Sequence, residues 1–181
     1  ETNFAELNVR RAAKLTFEKG RLDALGWIDT GNARSFAAFL DEAVMPMCAA
    51  TSSSRTLLGY SLSGAFCLQA AKYLAGELNG VAAISPSIWA EPASPDGIVT
   101  LYRTMPDLRV FLCAGALEED AALTGLPSHM WEMVRALGSE LAAIDKERVW
   151  TEIYDGETHF TVPFRSICAT LTRICTGTNL A

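Results

Sequence analysis

Three kinds of side chain that together can open an acyl bond occur in order along this chain: a serine between small residues, a group of carboxylates, and a histidine after an apolar run. The serine is Ser61, in Gly59-Tyr60-Ser61-Leu62-Ser63-Gly64. A short apolar segment precedes it and a helical pattern follows, which is the setting of a nucleophile elbow, where the serine sits on a strained strand-to-helix turn. Small residues are needed two places before and two places after such a serine, because neighbouring backbone comes closest there. Gly59 and Ser63 meet that need. A serine hydroxyl is a weak nucleophile at neutral pH, so it requires a base within hydrogen-bond reach and a third group to orient the base.

Only two histidines are available. His159, in Asp155-Gly156-Glu157-Thr158-His159-Phe160, follows the last apolar run and completes the chain order serine, acid, histidine. His129 lies at a helix start, out of that order, and reads as a surface residue. Cys113-Ala114-Gly115-Ala116-Leu117-Glu118-Glu119-Asp120 places three carboxylates directly after a strand candidate. Glu118 is the first choice as the orienting acid, with Glu119 and Asp120 open and a serine–histidine dyad as the alternative. The backbone N–H of Leu62, at the start of the elbow helix, is the expected oxyanion donor. This chemistry calls for no metal and no organic cofactor.

The elements that must hold these groups alternate. An apolar run at 56–58 reaches Gly59 and reads as a buried strand, and 62–78 reads as the helix behind it. Further strands are expected at 81–84, 110–113 and 149–154, and helices at 128–144 and 163–175. Met130, Val134, Leu137, Leu141 and Ile144 share one helical face; Phe164, Ile167, Cys168, Leu171 and Ile174 share another, with Pro163 at the first helical position. Both stripes are expected to face a sheet. Ahead of the elbow, Phe36, Phe39, Leu40, Ala43, Val44 and Met47 recur at helical spacing from Ser35, in a helix that Pro46 should bend or end, and 51–54 reads as a polar loop. Continuous apolar strands between amphipathic helices predict an α/β fold, a mainly parallel sheet with helices on both faces.

Composition bounds the reading. The 181 residues fit a single domain over 1–181, half of them hydrophobic, and a formal net charge of −6 without basic clusters argues against nucleic acid or an anionic membrane as partner. No run approaches the roughly 18 apolar residues of a membrane span, and no signal-peptide pattern opens the chain. Residue 1 is Glu, so something upstream is expected to have been removed or not shown. Five cysteines without Cys-x-x-Cys spacing read as buried thiols rather than metal ligands, which favours a cytoplasmic protein, with the periplasm as the alternative.

The likeness extends beyond one motif. The helix Phe36-Ala37-Ala38-Phe39-Leu40-Asp41-Glu42-Ala43-Val44-Met45-Pro46, the elbow, Ile84-Ser85-Pro86-Ser87-Ile88-Trp89, Gly115-Ala116-Leu117-Glu118-Glu119 and Asp155-Gly156-Glu157-Thr158-His159 with Val162-Pro163 together resemble the esterase family of α/β-hydrolases whose members open trilactone siderophores such as enterobactin. The resemblance covers about residues 32 to 175, and Arg10-Arg11 with Leu15-Thr16 looks like the segment after that family's third strand. It implies an α/β-hydrolase fold and a serine esterase acting on small-molecule esters, siderophore lactones among them. It implies Ser61 as nucleophile, His159 as base and Glu118 as acid. Tyr60 and Trp89 are then the expected substrate-binding residues, and Ser85 to Trp89 the expected lining of the pocket mouth.

Tyr60 stands where that family commonly has histidine, and Ser63 where it has glycine. Only 55 residues precede the elbow strand, too few for the family's usual first strands. Its loop that supplies a second oxyanion donor would fall before or near Asn3 to Asn8. A sheet cut there would expose a strand edge, so the missing strands are expected from an upstream segment, a cleaved companion chain or a second copy in a homodimer. The competing reading is a shortened, non-catalytic hydrolase-like module that binds a partner.

Overall fold

Each of the four apolar runs becomes a strand: β1 (Thr56–Tyr60), β2 (Gly80–Ile84), β3 (Arg109–Gly115) and β4 (Val149–Tyr154). They form one parallel sheet in the order β1-β2-β3-β4, with Leu58 beside Ala82, Ala82 beside Phe111 and Phe111 beside Trp150. The computed structural model describes residues 4–19, 30–49, 54–74, 78–90, 94–119 and 129–176. The helices are α1 (Phe4–Leu15), α2 (Ala33–Phe39), α3 (Met45–Ala49), α4 (Leu62–Ala70), α5 (Ser94–Thr104), α6 (Met130–Ile144) and α7 (Val162–Thr176).

Because successive strand residues point to opposite faces, each strand divides its side chains between two layers. Leu57, Val81, Ala83, Val110, Leu112, Ala114 and Ile153 join Phe66, Val134, Leu137 and Leu141 in the main core, under α4 and α6. Leu58, Tyr60, Ile84, Cys113 and Tyr154 join Val162 of α7 on the other side. Helices cover both faces of the sheet, as its continuous apolar strands require. β2 is buried at all five positions, and its Gly80, Ala82 and Ala83 leave room for helices on either side. Each fully buried Leu, Ile or Val side chain contributes about 1.5–3 kcal/mol.

The front of the chain is fastened to α4 by rings. Phe17 stacks on Phe66 at 5.6 Å and on Tyr73 at 5.4 Å between centroids, and the Lys72 ammonium lies over both Phe17 and Tyr73. Ala12 and Leu15 of α1 pack beside Leu62, the first residue of α4. No helix among the described residues is long and apolar enough to cross a membrane.

Several expectations about the helices need correction. The helix ahead of the elbow starts at Ala33, and Pro46 does not end it; a π-helical turn, Leu40–Val44, leads into α3. Proline has no N–H to bond back, and its ring would strike the carbonyl of Glu42, so the turn before it widens. Its buried side is Ala33, Ala37 and Met45, while Phe39 and Met47 are exposed. The α-helix expected over 62–78 closes at Ala70 and passes into turns through Tyr73, and α1 and α5 were not read from the sequence. The helix expected over 128–144 begins at Met130; Ser128 and 51–53 of the polar loop lie outside the described residues.

The largest correction concerns α7. Its expected inner stripe faces out, with Phe164 85% exposed and Cys168, Ile167 and Leu171 exposed as well. Val162, Ser166 and Thr170 face in instead, and Val162 rather than Pro163 takes the first helical position. Val162 is seated against Ile84 and Cys113, the short Ser166 and Thr170 side chains let the helix approach the sheet, and Arg173 reaches Glu152 of β4 at 2.7 Å. Those contacts fix the rotation of α7 against its hydrophobic pattern. Val162→Ala should therefore lower stability by about 2 kcal/mol in urea unfolding, and Phe164→Ser by less than about 0.5 kcal/mol, the reverse of the order that the helical pattern predicts.

Candidate active site

All four strands run parallel, so their C-terminal ends meet along one edge of the sheet, where open α/β sheets place their ligands. Ser61 follows β1 directly and adopts φ 60°, ψ −126°, a conformation costly for any residue with a side chain. Its neighbours hold it there. Ser61 N–H donates to Ile84 O at 2.9 Å, and its carbonyl accepts from Ala65 N–H and Ser87 N–H, each at 3.1 Å. Gly59 lets the turn close, since a Cβ there would sit 2.3 Å from the Ser63 carbonyl oxygen.

Glu118 lies on the 3-10 turn Ala116–Glu119 after β3 and is wholly buried. Its Oε1 accepts from Gly115 N–H at 2.6 Å and from the Ser85 hydroxyl at 2.5 Å. Its Oε2 lies 3.1 Å from His159 Nδ1. A carboxylate only accepts, so Nδ1 carries the proton and Nε2 is left to accept from the Ser61 hydroxyl, 3.0 Å away. The Ser87 hydroxyl approaches the same Ser61 Oγ at 3.2 Å. The turn of Glu118 and the loop of His159 are in direct contact: Leu117 N–H donates to Glu157 O at 3.0 Å, and a Cβ at Gly115 would lie 2.2 Å from that oxygen.

His159 is 3% exposed and held on its ring faces as well as its nitrogens. The Tyr60 ring lies 4.9 Å away, tilted by 31°, and Phe160 meets the imidazole edge-on at 5.6 Å. The Tyr60 hydroxyl donates to the His159 backbone oxygen at 2.7 Å. Burial, with the nearby Glu118 charge adding and Arg11 opposing, pushes the Tyr60 phenol up to about 12. It therefore keeps its proton, and its bond to His159, through the neutral range.

Ser61, His159 and Glu118 thus form one hydrogen-bonded chain. Leu62 opens α4, so its N–H is a first-turn donor without a helical acceptor. Tyr60 is set against His159, and Trp89, on the 3-10 turn Ile88–Ala90, is half-buried. Ser85 and Ser87, expected at a pocket mouth, are buried and turned toward Glu118 and Ser61. Their signal was available in outline, since two hydroxyls follow a strand that ends beside the elbow. His129 stands just before α6 without a side-chain capping bond and meets Glu132 on the surface. Asp120 and Asn3 lie outside the described residues, and the segment from Phe4 is helical.

Solved structures share this fold. The siderophore hydrolase EstA from Aspergillus nidulans superposes with a TM-score of 0.72 at 20% identity, over 94% of this chain and 67% of that one. The BES protein from Bacillus cereus gives 0.72 at 23% identity, over 92% and 65%. An IroE-like serine hydrolase from Shewanella oneidensis gives 0.73 at 15% identity, over 88% and 54%. These likenesses establish an α/β-hydrolase fold; the chain spans about two thirds of the length of the first two and about half of the third. No family model and no curated protein matches the sequence.

The raised Tyr60 phenol has a sign that can be checked. Between the ordinary tyrosine value of 10 and about 12, the unfolded chain releases a proton that the folded chain keeps, so this group's contribution to stability falls as pH rises across that window. Tyr60→Phe should make the loss of urea stability between pH 10 and pH 12 shallower than in the parent protein.

Proposed function

We propose that this chain hydrolyses carboxylic esters through an acyl-enzyme. The observation that carries the reading is the unbroken chain from Ser61 Oγ to His159 Nε2 and from His159 Nδ1 to Glu118 Oε2. Ser61 Oγ attacks the ester carbonyl carbon while His159 Nε2 takes its proton, and Glu118 stabilises the imidazolium so formed. The carbonyl oxygen becomes an oxyanion, to which the Leu62 N–H donates. When the tetrahedral intermediate collapses, His159 returns the proton to the departing alcohol. Water then attacks the acyl carbon with His159 Nε2 taking its proton, and as this second intermediate collapses His159 returns the proton to Ser61 Oγ and the acid is released.

EstA is a siderophore hydrolase by name, and esters of the siderophore-lactone type are the first substrates to try. Hydrolysis of p-nitrophenyl acetate and butyrate should be measurable and should vanish in Ser61→Ala. A fluorophosphonate probe should label the parent protein and not that variant. Glu118→Gln, which keeps the shape but cannot serve as a carboxylate acceptor, should lower kcat by about 10³- to 10⁴-fold. No turnover together with no labelling would sink the esterase reading and favour a non-catalytic binding module.

A further inference from the structure

Ser85 stands immediately after β2 at φ 42°, in the left-handed region that glycine enters freely and serine enters at a cost. It is fully buried, and its N–H donates to Cys113 O at 2.7 Å, so neither solvent nor a mobile loop accounts for the conformation. Its hydroxyl is aimed at one acceptor, Glu118 Oε1, at 2.5 Å. With Gly115 N–H on the same oxygen, Oε1 is supplied with two donors, and Oε2 is the oxygen presented to His159.

We propose that Ser85 is a positioning residue: its hydroxyl fixes which oxygen of Glu118 meets His159 Nδ1, and so fixes the imidazole tautomer that leaves Nε2 facing Ser61. Two observations converge on this role. The strained backbone is retained by a residue whose hydroxyl is used. The buried carboxylate has donors from the end of β2, the end of β3 and the loop after β4, so losing one leaves an unmet acceptor where water does not reach.

The kinetic consequence rests on the esterase reading, whereas the placement of the histidine proton does not, and the test keeps the two apart. With only two histidines, a ¹⁵N-histidine-labelled protein and its His129→Asn variant assign the His159 ring signals. The parent should show a protected Nδ1 proton. Ser85→Ala and Ser85→Gly should both broaden or lose it, and both should lower kcat for p-nitrophenyl butyrate by about 10- to 100-fold, the range of one charge-assisted hydrogen bond, with KM little changed. Ser85→Gly separates the hydroxyl from the backbone, because glycine accepts φ 42° without strain; a merely conformational role predicts that it behaves like the parent. A Nδ1 proton unchanged in both variants overturns the proposal whatever kcat does, and a lost proton with unchanged kcat overturns its part in the reaction. If the parent neither turns over ester nor takes the fluorophosphonate, the esterase reading fails while the proton signal still decides Ser85.

Discussion

A carboxylate with no exposed surface, Glu118, sits at the C-terminal edge of the sheet, and the ends of the strands around it are arranged to satisfy it. Moving an ionised carboxylate out of water without partners is prohibitive, so Glu118 is tenable only while its donors stay in place. Those donors come from separate parts of the chain: Ser85 after β2, Gly115 at the end of β3 and His159 in the loop after β4. Each depends on strand register. Ile84 pairs with Cys113 and Gly115 with Tyr154, so a slip of one residue between β2 and β3, or between β3 and β4, would withdraw a donor as well as invert the side-chain faces. Register and polar satisfaction therefore enforce the same arrangement.

The small residues of the sheet serve this geometry. Gly59 admits the Ser63 carbonyl to the elbow, and Gly115 admits the Glu157 carbonyl to the end of β3. The second contact matters for the site because Glu157 is two residues from His159 and its carbonyl accepts from Leu117, next to Glu118. His159 and Glu118 are thus joined through backbone as well as through their side chains. On the far side Tyr60, one residue before Ser61, is bonded to the His159 backbone, and its ring lies tilted against the imidazole. Ser61, His159 and Glu118 each touch an element that carries one of the others.

Much of this was legible in the sequence where local pattern and tertiary demand agree. The four strands were found because apolar runs shorter than a helix, bounded by turn residues, have few other uses, and β4 matched over 149–154. The stripe Met130, Val134, Leu137 and Leu141 of α6 was read correctly because that helix packs on the sheet along its apolar face. Elsewhere the two conflict. α7 has a clear apolar stripe, yet Val162, Ser166 and Thr170 face the sheet, since a seat for Val162 between Ile84 and Cys113 sets the rotation and periodicity cannot see it. The order of Ser61, Glu118 and His159 was legible from strand ends. The part of Tyr60 in holding His159 was not, because it depends on a hydroxyl meeting a backbone oxygen 99 residues away.

The position of β1 explains why the supports of Ser61 are so one-sided. Among the described residues β1 pairs only with β2, so the ladder that anchors Ser61 comes from a single neighbour. The elbow compensates by extending that pairing past the strand: Ser61 N–H bonds Ile84 O, and Ser87 N–H bonds Ser61 O. α4 contributes the remaining support, with Leu62, Phe66 and Cys67 buried behind the turn and Ala65 N–H returning to the Ser61 carbonyl. An unfavourable φ at Ser61 persists only because these contacts over-determine it, and a second unfavourable φ stands at Ser85, immediately after the strand that supplies them. The two strained serines thus each follow a strand of the β1–β2 pair directly, one directed at His159 and the other at Glu118, which bonds that histidine. Of the three positive-φ non-glycine residues among those described, His129 lies apart at the start of α6, and the other two are serines whose hydroxyls must be aimed, with the fully buried β2 keeping their strain from relaxing.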